Sequence, residues 1–165
     1  MKTLRIVSIL TLSLLVTFSA FAQKDKSKRK SPPAQVTQDV GDATVTIDYS
    51  RPSKKGREIF GGLEDYGKVW RTGANESSWI QVSADVEVEG QTLAAGKYGL
   101  FTIPGKDQWT IIFNKNWDGW GAYEYKESDD VLRVTVDAGS TDDVVEMFTI
   151  EIADNGDVSM SWDQT

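Results

Sequence analysis

From residue 43 onward, apolar and polar residues alternate through several short runs of the chain. In residues 43–49, Val45, Ile47 and Tyr49 share one face and Thr44, Thr46 and Asp48 the other. Trp109, Ile111 and Phe113 fall together, as do Leu132, Val134 and Val136 against Arg133 and Thr135. Phe148, Ile150 and Ile152 alternate with Thr149 and Glu151, and Val158, Met160 and Trp162 repeat the pattern. A two-residue period marks strands with one buried face, the usual state of antiparallel sheets. The punctuation fits: Asp154, Asn155 and Gly156 supply hairpin chemistry, as do Glu89 and Gly90, and Pro104 with Gly105 closes residues 98–103 onto 109–113. No segment of helical length carries a 3.6-residue period, and no internal repeat is present. The pattern predicts a single all-β domain, an antiparallel β-sandwich or jelly-roll-like barrel of about eight to ten strands.

Two segments precede that domain. Residues 1–22 place Lys2 and Arg5 before an apolar run from Ile6 and end in Ala20, Phe21 and Ala22, the layout of a signal peptide cleaved before Gln23. The run is short and interrupted by Ser and Thr, so the mature chain is expected to carry no integral membrane span. The expected destination is the periplasm, the cell surface or the exterior. With no cysteine in the chain, no disulfide staples the fold, which must rest on its core. Residues 23–33 hold five cations within seven residues and finish in Pro32 and Pro33, the composition of a solvated basic tether. Export and the lack of interleaved aromatics argue against a nucleic-acid patch. The expected domain, residues 34–165, keeps 24 of the 25 acidic residues and 11 of the 18 Lys and Arg, a net charge of −13 that disfavours polyanions.

Candidate chemistry is narrowed by what is missing. The chain has neither His nor Cys, which removes the usual zinc sites and nucleophilic triads. Gly62, Gly67 and Lys68 approach a phosphate loop, but Val69 stands where Ser or Thr would hold magnesium, and no strand–loop–helix surrounds it. The acidic turns at 128–130, 141–143 and 154–157 do not fit a twelve-residue calcium loop. No metal, cofactor or catalytic residue is assigned. Glu76, Asp118 and Glu124, close in sequence to aromatics, keep a carboxylate-based glycan hydrolase as an alternative.

Two stretches suit ligand binding. Residues 51–76 form a long irregular connection, the kind that is functional, self-packed or disordered. Arg51, Lys54, Lys55, Arg57, Lys68 and Arg71 are six of the domain's 11 cations, within 21 residues, and on an acidic body they can focus an anion site. The same loop carries Ile59, Phe60, Leu63, Tyr66, Val69 and Trp70, which suit a structural belt pinned to the core. Arg57 is expected to contact ligand, Arg71 to anchor the loop beside Trp70, and Lys54 and Lys55 to be dispensable for folding. Residues 116–125 concentrate Trp117, Trp120, Tyr123 and Tyr125 among glycines, carboxylates and an amide, a composition suited to stacking on sugars. The candidate ligand-binding set is Arg51, Arg57, Arg71, Asn75, Glu76, Trp117, Trp120 and Tyr123.

The runs SRPSKKGREIFGGL, YGKVWRTGANE and WGAY, with the Ile103-Pro104-Gly105 turn, resemble a family of exported bacterial proteins known as domain of unknown function 2911. The resemblance extends from about Ala34 to Ile152. Glu64 and Asp65 stand where many members have an apolar residue and Pro before the Tyr-Gly pair. The resemblance implies an exported, mostly β protein of Bacteroidetes-type bacteria, and it implies no activity. The residues favour a non-enzymatic binding module for a carbohydrate or small anionic ligand. The alternatives are the hydrolase and a structural or assembly protein of the cell envelope.

Overall fold

The computed structural model describes residues 26–165. The expected signal segment lies outside the described residues. Ten strands form: β1 (Pro33–Val40), β2 (Ala43–Ser50), β3 (Trp79–Val82), β4 (Val86–Val88), β5 (Gln91–Leu93), β6 (Gly96–Ile103), β7 (Gln108–Asn114), β8 (Asp130–Asp137), β9 (Val145–Ile152) and β10 (Val158–Asp163). They make a six-stranded sheet in the order β1-β2-β3-β6-β7-β8 and two hairpins, β9–β10 and β4–β5. Every strand pair is antiparallel. No helix among the described residues is long and apolar enough to cross a membrane.

The alternation seen in the sequence becomes the two faces of the main sheet. Val45, Ile47 and Tyr49 of β2, Ile80 and Val82 of β3, and Phe113 and Val134 of β7 and β8 join Phe148, Ile150, Ile152 and Trp162 of the β9–β10 hairpin in one hydrophobic cluster. The fold is thus an all-β sandwich, with one wide layer and one narrow layer. The turns are where their chemistry requires. Glu89 and Gly90 link β4 to β5 with φ of 48° and 74°, the left-handed pair of a tight hairpin.

β1 is an edge strand that no run of the sequence pattern predicts. Among the described residues it pairs with β2 alone, and alternate residues along it are half-buried. It opens at Pro33, which an edge strand tolerates at its first residue because no ladder partner needs the missing N–H.

The connection 51–76 is largely a belt. Phe148 donates its amide to the Pro52 carbonyl (2.9 Å) and Lys54 its amide to that of Glu146 (2.7 Å), so the belt begins by pairing with β9. Ile59 and Phe60 are then buried, whereas Leu63 and Tyr66, expected to pin the belt as well, are 42% and 39% exposed. The Phe60 ring sits edge-on to Trp70, Trp109 and Trp162, with centroids 5.8, 4.7 and 6.1 Å away. Trp70 and Thr102 exchange both backbone hydrogen bonds (2.7 and 2.9 Å), tying the belt to β6. Gly73, at φ 150°, passes so close to β2 that a Cβ would lie 2.8 Å from the Ser50 carbonyl oxygen. Thr72 holds φ 54° although β-branched and fully buried, a strained conformation. It is held there because its Oγ1 bonds Thr102 (3.2 Å) and its carbonyl accepts from Ser78 Oγ (2.7 Å).

Candidate functional site

The aromatic loop after β7 crosses the outer face of the main sheet, opposite the β9–β10 layer. Its root is fixed by Asn114, which is fully buried. The Asn114 amide donates to the Lys126 carbonyl (3.0 Å) and to Asp130 (2.7 Å), and its oxygen accepts the Asn116 amide (2.8 Å). Tyr125 donates to the same Asp130 (2.9 Å), accepts from Arg133 (2.6 Å) and packs on Phe101, 5.1 Å between centroids. Gly99 of β6 lets the loop approach, since a Cβ there would meet the Asn116 carbonyl oxygen at 2.2 Å.

The tip of this loop is laced to the end of the belt. Ser77 donates its amide to Gly119 (3.0 Å) and its hydroxyl to the Gly121 carbonyl (2.6 Å), while Gly121 donates to the Asn75 carbonyl (3.0 Å). Glu76 and Trp120 form an antiparallel bridge. On this frame three large rings remain open to solvent: Tyr123 at 85%, Trp120 at 54% and Trp117 at 38% exposure. Trp117 shares the Lys97 ammonium with Trp79, with 3.8 and 3.6 Å to the two ring centroids, so that face of it is covered by the cation.

Charge is unevenly satisfied here. Among the described residues the buried Nε of Arg71 has no hydrogen-bond acceptor, and its terminal nitrogen lies 3.5 Å from where a Gly121 Cβ would sit. The Arg71 guanidinium thus stands beside the Tyr123 ring. Burial raises the carboxyl of Glu64, on the belt, to about 7 against the pull of Arg71. Glu76 behaves oppositely. Burial works against its ionisation, but hydrogen bonds from Arg29, the backbone and Lys26 outweigh it and hold the carboxyl at about 2. Arg29 reaches Glu76 at 2.5 Å and Lys26 at 3.1 Å, while Asn75 donates to the Ser31 carbonyl (3.0 Å). Residues 26–31, read in the sequence as solvated, therefore contact the domain at this corner. A polar hollow of about 120 Å³ lies between them and Trp117, lined by Asp48, Glu76, Trp79 and Asp118 among others. Burial raises the Asp48 carboxyl despite a hydrogen bond from Gln35.

Of the eight candidate residues, six come together in this region: Arg71, Asn75, Glu76, Trp117, Trp120 and Tyr123. Arg51 and Arg57 do not. Arg51 donates to the Phe148 carbonyl (3.0 Å) and Thr149 Oγ1 (2.6 Å) on β9, holding belt to hairpin. Arg57 donates to the Lys54 and Ser53 carbonyls (2.9 and 2.5 Å), closing its own turn. Arg57, expected to contact ligand, thus bonds the carbonyls of its own turn, while the buried Nε of Arg71, expected to anchor the loop, has no acceptor among the described residues. Lys54, expected to be dispensable for folding, pairs with Asp163 at 2.5 Å in a half-buried contact. Lys97, Trp79 and Asp48 were not singled out in the sequence. They reach the site through strand pairing between residues far apart in sequence, as in the Gln81–Lys97, Trp79–Gly99 and Trp79–Asp48 registers. No cluster of three His, Cys, Asp or Glu among the described residues is placed to hold a metal ion.

No curated protein matches the chain. No solved structure matches it either. The family described as "Protein of unknown function (DUF2911)" matches residues 31–165, which takes in every strand and both halves of the site. The chain belongs to that family.

Proposed function

We propose that this protein is a carbohydrate-binding module whose platform is the loop bearing Trp117, Trp120 and Tyr123. The observation that carries the reading is the exposure of three large aromatic rings on a backbone held rigid by hydrogen bonds at its root and its tip. Large aromatics left in water at a fixed site are uneconomical for folding and useful for stacking on the apolar faces of sugar rings. Arg71, whose terminal nitrogen lies beside Gly121 and the Tyr123 ring, adds a positive charge for an acidic substituent. With the export segment expected at residues 1–22, the platform would face glycans of the envelope or the exterior.

A hydrolase reading is favoured by one observation, the opposed carboxyls of Asp48 (raised) and Glu76 (held at about 2) on one hollow. The hollow, about 120 Å³, is far below the roughly 300–1,000 Å³ of small-molecule pockets, and Glu76 is already engaged by two cations. Binding is therefore the preferred reading. Affinity electrophoresis through gels containing neutral and acidic polysaccharides tests it. Retardation is expected with at least one of them, and Trp120→Ala should weaken it about tenfold or more without changing the melting temperature. Equal mobility of wild type and Trp120→Ala in every gel contradicts the proposal.

A further inference from the structure

The main sheet is wider than anything that covers its inner face. Six strands at about 4.8 Å spacing span roughly 29 Å, and a two-stranded hairpin covers about 10 Å of that. The belt fills part of the remainder with Ile59, Phe60 and Trp70, and the β4–β5 hairpin another part with Leu93. What is left is a cavity of about 720 Å³ between the layers. This lies within the roughly 300–1,000 Å³ typical of ligand sites.

The walls are mainly apolar: Val45 and Ile47 of β2, Leu100 of β6 and Val136 of β8 face Ile152 and Met160 of the opposite layer, with the Trp109 and Phe113 rings among them. No Lys or Arg is among the described residues that line it, whereas Glu87, Glu89, Asp137 and Asp157 are, and all four are exposed. A cavity with mainly apolar walls disfavours polar chains, and a carboxylate rim repels an anionic head. We infer that this cavity binds an amphiphile with a single alkyl chain and a cationic head, the chain between the layers and the head among the rim carboxylates. The site is on the opposite face of the main sheet from the aromatic platform and shares no residue with it, so the two stand or fall separately.

Titration calorimetry on the mature chain, with alkyltrimethylammonium ions, alkanols and alkanoates of eight to twelve carbons below their micelle concentrations, tests this. Far-UV dichroism run in parallel verifies that the fold persists. The cationic series should bind tightest and the alkanoates weakest. Affinity should rise about fourfold per added methylene until the cavity is filled. Val158→Trp, at an exposed position on the cavity wall, should weaken dodecyltrimethylammonium at least tenfold, and Met160→Trp, deeper on the same strand, should do the same. Exchanging Glu89 and Asp157 for Lys should reverse the preference toward dodecanoate. Absence of binding by the cationic series overturns the inference, as does tighter binding of the alkanoates by the wild type. An affinity independent of chain length, or unchanged in both Trp variants, does the same.

Discussion

The space between the two layers is filled in two different ways. Around the C-terminal ends of β2 and β10 it is packed with rings: Tyr49, Phe148 and Trp162 meet Phe60 and Trp70 from the belt, with Trp70 and Trp162 stacked 5.9 Å apart and only 18° from parallel. Around the N-terminal ends of the same strands, Val45 and Val158 face a cavity of about 720 Å³ walled mainly by aliphatic side chains. Trp109 belongs to both parts, touching Phe60 on one side and lining the cavity on the other. The contrast shows what the long connection is for. Where the belt crosses, an otherwise half-covered sheet gains a complete core. Where it does not, the sheet keeps an open, apolar interior.

The sharpest way to break this comparison is to truncate one residue in each part. Trp70→Ala removes a ring that is 3% exposed and touches four other aromatics, and should cost about 3–5 kcal/mol in denaturant unfolding. Val136→Ala, on the half-buried cavity wall, should cost about 1 kcal/mol or less, because its neighbours already leave space beside it. Similar losses for the two would mean that the cavity is as tightly packed as the aromatic part.

Next in size is Gly73→Ala. Both the backbone, at φ 150°, and the Ser50 carbonyl 2.8 Å from the new Cβ oppose it, and the expected loss is about 1–3 kcal/mol. Gly56 shares the belt but has open space around its Cβ position, with φ at 70°. Gly56→Ala should therefore incur the backbone penalty without the clash, and melt above Gly73→Ala.

The smallest effect is electrostatic. Glu64 ionises at about 7 in the folded chain against 4.5 for an unperturbed carboxyl, so the folded state holds its proton more tightly than the unfolded state does. Its contribution makes stability fall as pH rises from about 4.5 to about 7. Glu64→Gln should melt like wild type near pH 4.5 and above it at pH 8. Glu76, held at about 2, works in the other direction. Its stabilisation is complete above pH 4.5 and is lost as pH falls toward 2. The burial of Glu64 also accounts physically for an apolar residue being suited to that position.

How much of this was legible in the sequence follows from the range of each interaction. Strands β2, β7, β8, β9 and β10 announced themselves by alternation, because one face of each meets a core. β1 did not, since an edge strand with Gln35, Thr37 and Asp39 outward and a Pro-Pro start reads as linker. The belt's apolar residues were visible, but the partner of Trp70 was not, because Thr102 lies 32 residues away with nothing in local spacing to connect them. The same holds for Arg51 and Arg57: a guanidinium that bonds carbonyls looks, in sequence, the same as one that awaits an anion. The cavity was invisible in principle, for it depends on the mismatch between the widths of two layers and no residue pattern encodes that.

Through Ile59, Phe60 and Trp70 the connection 51–76 is part of the core rather than a loop laid over it. Amide hydrogen exchange followed residue by residue tests it most directly. Trp70 and Thr102, which exchange both backbone hydrogen bonds, should be protected to nearly the free energy of global unfolding, as Ile47 in the centre of β2 should be. Exchange of the Trp70 amide at the rate of an exposed loop, while Ile47 stays protected, would contradict the account.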